Sequence, residues 1–181
     1  MRRKNLKKEI IKDDICLALV SLMKEKDFHE ITIQEICTKS GYGRTTYYRY
    51  FDSNKENLIL HLAKSIYTKE YKEKYPEMYP EKEGDVILQS VYEHRQFYLT
   101  LTKQNLDHLI FQIFFKEIGR KESENEILSY GKAFFAGGYF GIIYQWILNG
   151  CVDTPDEIKM KFLGGFQYVQ EQMDKKEQNE S

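Results

Sequence analysis

The chain has 181 residues, 41% of them hydrophobic and 14% aromatic, enough to bury a substantial core and too aromatic for disorder except at its polar ends. The net charge of −1 hides an asymmetry: residues 1–60 hold 12 Lys/Arg and 9 Asp/Glu (12 − 9 = +3), and the remainder hold 15 and 19 (15 − 19 = −4). A basic front on an acidic body suits a protein that offers one end to a polyanion, although a bias this small carries little weight alone.

The longest apolar stretch, FFAGGYFGIIYQWIL, falls short of the roughly 20 residues that span a bilayer and carries Gln145. The basic N-terminus leads into mixed charge and not into an apolar secretion segment, so a soluble, cytoplasmic protein is expected. Cys16, Cys37 and Cys151 are odd in number, widely spaced and set among apolar residues, which predicts buried reduced thiols, with redox sensing as the alternative.

Taken in chain order, the first helix is predicted over about residues 7–25, from the stripe Ile11, Ile15, Ala18, Leu19 and Leu22. Thr32 then opens a capping box with Glu35, starting a short helix with Ile33, Ile36 and Cys37 inward that Gly41 ends near residue 40. A third helix runs from Gly43 or Arg44 to about Phe51. A fourth follows over about 54–72, with Ser53 or Asn54 as N-cap and Ser53 paired to Glu56 in a second capping box. YPEMYPEKEGD breaks the pattern, and further helices are predicted over about 84–102, 104–120, 124–149 and 155–174. The three prolines lie between helical patterns, and only Pro155 stands where a first helical turn begins. The expectation is an all-α fold of about nine helices: a three-helix DNA-binding domain over 1–53 and a larger helical ligand-binding and dimerisation domain over 54–181, joined by the fourth helix.

TIQEICTKSGYGRTTYYRYF has the layout of a helix-turn-helix, a capped short helix followed by a glycine-containing turn and a second short helix. On a helical wheel Tyr47 and Phe51 share one arc and face the core. Thr45, Thr46 and Arg49 face the opposite way, with Tyr48 and Tyr50 on the flanks. No carboxylate lies between Glu35 and Asp52, so hydroxyls, phenols and guanidiniums are free to meet phosphates, and Arg44 or Arg49 to reach guanine edges. A surface helix that happens to lack acids is the plain alternative.

The run from Ile31 to Leu58 resembles the DNA-binding domain of TetR/AcrR-type regulators, a likeness that extends over about residues 10–62 and includes Phe28. The resemblance implies that the third helix enters the major groove, with Thr46 and Tyr48 supporting DNA contact. Tyr50 stands where the family often has histidine. The family usually has a lysine three residues after the phenylalanine matching Phe51; here Asn54 holds that place and Lys55 follows, so helix 4 is expected to start one residue later. The expected DNA-binding set is Thr32, Arg44, Thr45, Thr46, Tyr48, Arg49, Tyr50 and Lys55, on double-stranded operator DNA.

Residues 92–146 hold 13 of the 26 aromatics, among them Phe114 and Trp146. The resemblance implies a small-molecule pocket in this half, for which Tyr92, Phe97, Tyr98, Phe111, Phe115, Tyr139 and Tyr144 are the wall and His94, His108 or Gln145 the polar groups. Plain core packing is the alternative for every one of these residues and, taken residue by residue, the better explanation. The segment around Trp146 resembles the eighth helix of one C-terminal branch of the family, whose members dimerise through helices 8 and 9. Gly141, Trp146, Ile158, Phe162, Gly165, Phe166 and Val169 are accordingly expected at a homodimer interface. The resulting expectation is a repressor released by an apolar or aromatic ligand. The alternatives are a regulator controlled by a partner protein and an enzyme using the aromatic cluster. His29, His61, His94 and His108 make no metal-spaced cluster, and no phosphate loop or nucleophile elbow occurs, so no catalytic residue, metal or cofactor is expected.

Overall fold

The computed structural model describes residues 2–67, 80–118, 126–162, 164, 165 and 168, and all regular structure among them is helical. In order these are α1 (Arg2–Leu22), α2 (Ile33–Ser40), α3 (Arg44–Tyr50), α4 (Glu56–Tyr67), α5 (Pro80–Glu93), α6 (Arg95–Lys103), α7 (Asp107–Ile118), α8 (Glu126–Leu148) and α9 (155–162), with a 3₁₀ turn over Phe28–Glu30 before α2. No described helix is long and apolar enough to cross a membrane.

The stripe on α1 buries Ile15, Ala18 and Leu19 and half-buries Ile11 and Leu22. α4 packs on α1 and on α7, and Leu58, Ile59, Leu62 and Ala63 on its inner face join one apolar core that runs from α1 to α8. His61 fastens the α1 side of this helix. Its ring meets the Phe51 ring edge-on at 5.6 Å and lies 3.4 Å from the Asp13 carboxylate. Burial, then the Lys12 charge, lowers the His61 pKa against the opposing Asp13 and Glu9 carboxylates.

Three local expectations are corrected. The helix predicted over 84–102 is two, α5 and α6, broken at His94, where Arg95 folds back to donate to the Tyr92 carbonyl at 2.9 Å and lies 4.7 Å over its ring. Neither glycine nor proline marks this break, so the apolar periodicity reads straight across it. Pro80 opens α5, where its missing N–H costs nothing, and so shares the role given to Pro155 alone. The Ser53–Glu56 capping box is replaced by two linked side-chain turns: Asp52 accepts from the Asn54 N–H at 2.8 Å, and Asn54 accepts from the Glu56 N–H at 3.0 Å. The Glu56 carboxylate turns instead to His108 on α7, 3.2 Å away. The predicted tail of α4 beyond Tyr67, and of α9 beyond residue 168, lies outside the described residues.

All three cysteines are free and buried. Burial raises each thiol, Cys151 to about 11, so they stay protonated and unreactive at neutral pH.

Candidate nucleic-acid interface

The local sequence dictates how α2 and α3 are set. The Thr32 hydroxyl accepts from the Glu35 N–H at 3.2 Å while the Glu35 carboxylate accepts from the Thr32 N–H at 2.7 Å, the reciprocal capping box expected at the start of α2. Lys26 adds an ion pair to the same carboxylate at 2.8 Å, joining the end of the α1 segment to α2. That Lys26 bond, then the Thr32 bonds, lowers Glu35 from its ordinary 4.5 to about 2. A carboxylate depressed in the folded state contributes stability that is complete above pH 4.5 and lost as pH falls through about 2. Thermal melts of Glu35→Gln across this window should therefore converge on the wild type as the pH falls; a gap in melting temperature that is constant with pH would show that the carboxylate charge does not hold the cap.

Gly41 closes α2 in the left-handed region, φ 76°, which favours glycine at this position. Tyr42 then pins the turn to α1, its hydroxyl donating to Asp14 at 2.8 Å, a bond that raises the Tyr42 pKa. Gly43 is the N-cap of α3 with φ −73°, open to any residue, and a Cβ placed there meets nothing within 4 Å. On α3 Tyr47 is fully buried and Phe51 nearly so, their rings 6.0 Å apart, while Arg44, Thr45, Tyr48 and Arg49 are exposed and Thr46 and Tyr50 half-exposed. The outward face is thus two guanidiniums, two hydroxyls and two phenols with no carboxylate from Ser40 to Phe51.

Two members of the expected set are placed differently. The Thr32 hydroxyl is occupied by its capping box, although the residue remains exposed. Lys55, expected as a phosphate contact, is directed into the protein. Its Nζ donates to the carbonyls of Phe28 and of Ile31 (2.7 Å), lies 3.4 Å from that of His29, and sits 4.6 Å over the Phe28 ring. Burial lowers its pKa, with Asp27 and Glu35 opposing. Three N–H groups facing three carbonyls leave none aimed outward, so Lys55 braces the α1–α2 loop.

In the second half, the aromatic residues pack largely on one another. Tyr98 stacks on Phe114 and Phe140 on Tyr144, while Phe140 also meets Phe111 and Phe114; Tyr92 lies parallel to Trp146 at 6.2 Å. Phe97, Tyr98 and Trp146 are buried and Phe111 is exposed. The Tyr139 hydroxyl donates to the Gly84 carbonyl and the Tyr144 hydroxyl to Asp107 at 3.0 Å. The Phe115 side chain lies outside the described residues. Of the expected polar groups, His108 pairs with Glu56, Gln145 is exposed and donates to Asn149, and His94 is half-buried.

The expected dimer residues divide. Trp146 and Ile158 face the protomer's own core, because Ile143, Trp146 and Ile147 form the inward arc of α8 and Ile158 packs against the same cluster. Gly141, Phe162 and Gly165 are exposed, and Phe166 and Val169 lie outside the described side chains.

Residues 15–62 match the model of bacterial regulatory proteins of the tetR family, and residues 80–164 match a transcriptional regulator C-terminal region of TetR type. An uncharacterized HTH-type transcriptional regulator of Bacillus subtilis (strain 168), YxbF, is 22% identical over 161 residues, covering 80% of this chain. The chain spans 41% of the length of that curated relative. With matching sequence in both halves and an all-helical fold that carries a helix-turn-helix at its front, the chain belongs to the TetR family of bacterial transcriptional regulators.

Proposed function

We propose that this regulator is a homodimeric repressor whose two α3 helices enter successive major grooves, roughly 34–36 Å apart, of a near-palindromic operator. The observation that carries this reading is the outward face of α3, where Arg44, Thr45, Tyr48 and Arg49 stand exposed without an acid among them. Gly43 supports it independently, since neither backbone angle nor crowding within the chain calls for glycine there. With no side chain there, a phosphate backbone could approach the start of α3 closely. The bound DNA is to be recovered by selection from random fragments at increasing salt. Arg44→Ala or Tyr48→Ala is then expected to weaken binding about tenfold to a hundredfold, the effect of losing one base or groove contact, without lowering the melting temperature. Unchanged affinity in both variants would remove α3 from the interface.

Gly43→Asp gives a sharper test. Aspartate is a better N-cap than glycine by a few tenths of a kcal/mol, so the variant should melt no earlier than the wild type. Its carboxylate would face phosphate, and operator binding should fall at least tenfold. Retained binding would place the DNA elsewhere.

Release by a small apolar or aromatic ligand is the regulation we propose. Its support is the connected aromatic cluster and the buried Trp146 Nε1, which has no acceptor among the described residues. Trp146 is the sole tryptophan, so its fluorescence during titration with aromatic compounds is a direct readout. Compounds that shift it and also release DNA would establish the effector class.

A further inference from the structure

One side chain of the C-terminal half is bonded entirely to the DNA-binding half. Gln104 caps α6, its backbone N–H reaching the Thr100 and Leu101 carbonyls, both at 3.1 Å. Asn105 follows with φ 56°, a left-handed conformation that asparagine tolerates, and the Leu106 N–H returns to Leu101 at 2.9 Å to close the corner before α7. From this corner the Gln104 side chain extends to the loop between α1 and α2. Its amide oxygen accepts from the Phe28 N–H at 2.9 Å, and its amide nitrogen donates to the carbonyls of Met23 at 2.7 Å and Lys26 at 3.1 Å.

Two donors and one acceptor at the end of a two-methylene stem match what the loop offers. A glutamate would set a carboxylate against two carbonyls, and an asparagine is one methylene short. Lys55, just before α4, holds the carbonyls of Phe28 and Ile31, so residues 23–31 are gripped from both sides. The loop leads directly into Thr32 and the capping box of α2, and the corner is tied to the aromatic cluster by the Tyr144–Asp107 hydrogen bond.

We propose that Gln104 is a positioning residue for DNA recognition, fixing the helix-turn-helix to the α6–α7 corner through the α1–α2 loop so that α3 is held at the angle its operator requires. The proposal rests on the DNA-binding reading above. It is tested in the full chain with Gln104→Met, which keeps the length of the side chain and removes all three hydrogen bonds. Hydrogen exchange at the Phe28 amide should accelerate at least tenfold while Leu58 and Ile59 stay protected. Affinity for the selected operator should fall about tenfold or more. In a DNA library with varied half-site spacing, the variant should accept spacings that the wild type rejects, a change that a merely stabilising residue would not produce.

Faster exchange with wild-type affinity and spacing would reduce Gln104 to a structural contact, and unchanged exchange would remove the clamp itself. Either result overturns the proposal while leaving wild-type DNA binding intact. Failure of the wild type to bind any DNA overturns both readings. If Gln104→Met loses its cooperative thermal transition, Gln104→Asn, which keeps the amide out of reach of the loop, carries the same three measurements.

Discussion

Replacing Tyr47 by alanine is expected to destabilise the protein by about 3–5 kcal/mol, while Tyr47→Phe is expected to leave stability unchanged or raise it. The ring is fully buried, meeting Phe51 at 6.0 Å and Tyr48 edge-on at 5.3 Å, so truncation opens a cavity in the part of the core that seats α3. The hydroxyl contributes differently. It is buried with no hydrogen-bond partner among the described residues, and burial, followed by Tyr48 and lesser neighbours, pushes its pKa up to about 12. A neutral, unsatisfied hydroxyl carries a desolvation cost that phenylalanine avoids at nearly the same volume. Denaturant unfolding of both variants separates the two effects. A loss of 1 kcal/mol or more in Tyr47→Phe would mean that the hydroxyl has a partner, such as an ordered water. Because Tyr47 faces inward and Arg44, Tyr48 and Arg49 outward, Tyr47→Phe should also keep full operator affinity.

The division of α3 into inward and outward residues was legible because local rules decide it. A capping residue, a left-handed glycine and a wheel of seven residues place Thr32, Gly41, Tyr47 and Phe51 without help from the rest of the chain. Lys55 and Gln104 were not legible in this way. Their partners lie 24 to 27 and 76 to 81 residues away, and no spacing rule connects a lysine or glutamine to loop carbonyls at such separation. The shift of the family lysine by one residue was a visible signal at Lys55, but it could be assigned to a loop brace only once the loop was seen folded against α4. The break at His94 escaped for the opposite reason. Val91 and Tyr98, buried and seven residues apart, keep helical spacing across it, so the pattern stayed continuous where the backbone is not. On α8 the sequence is apolar almost all round, which made the inward face unreadable; only the packing shows Trp146 turned inward.

The opposite face of α8 is the surface on which the homodimer proposed above is tested. Tyr130, Phe134, Gly138, Gly141, Gln145 and Leu148 recur at intervals of four or three along α8, and every one of them is exposed. Tyr130 is 70% exposed, a large apolar surface, and the two glycines lie between it and Leu148, which is 52% exposed. A Cβ at either glycine meets nothing within 4 Å in the protomer. Glycine within a helix costs about 1 kcal/mol relative to alanine, and leucine is also a good helix former, so Gly138→Leu and Gly141→Leu should stabilise the isolated protomer. In the homodimer proposed above, α8 of each copy approaches the other across these positions, and the added side chains would hold the two helices apart. Sedimentation across a concentration series should then show the dissociation constant of each variant raised at least tenfold, equivalent to about 1.4 kcal/mol, with operator affinity lost in parallel. Variants that dimerise as tightly as the wild type would move the interface off this stripe, and a wild type that stays monomeric at every concentration would remove the interface altogether. A variant that is monomeric yet melts no earlier at high dilution, where the wild type is also monomeric, would show that these glycines serve the approach of a second chain and not the folding of their own.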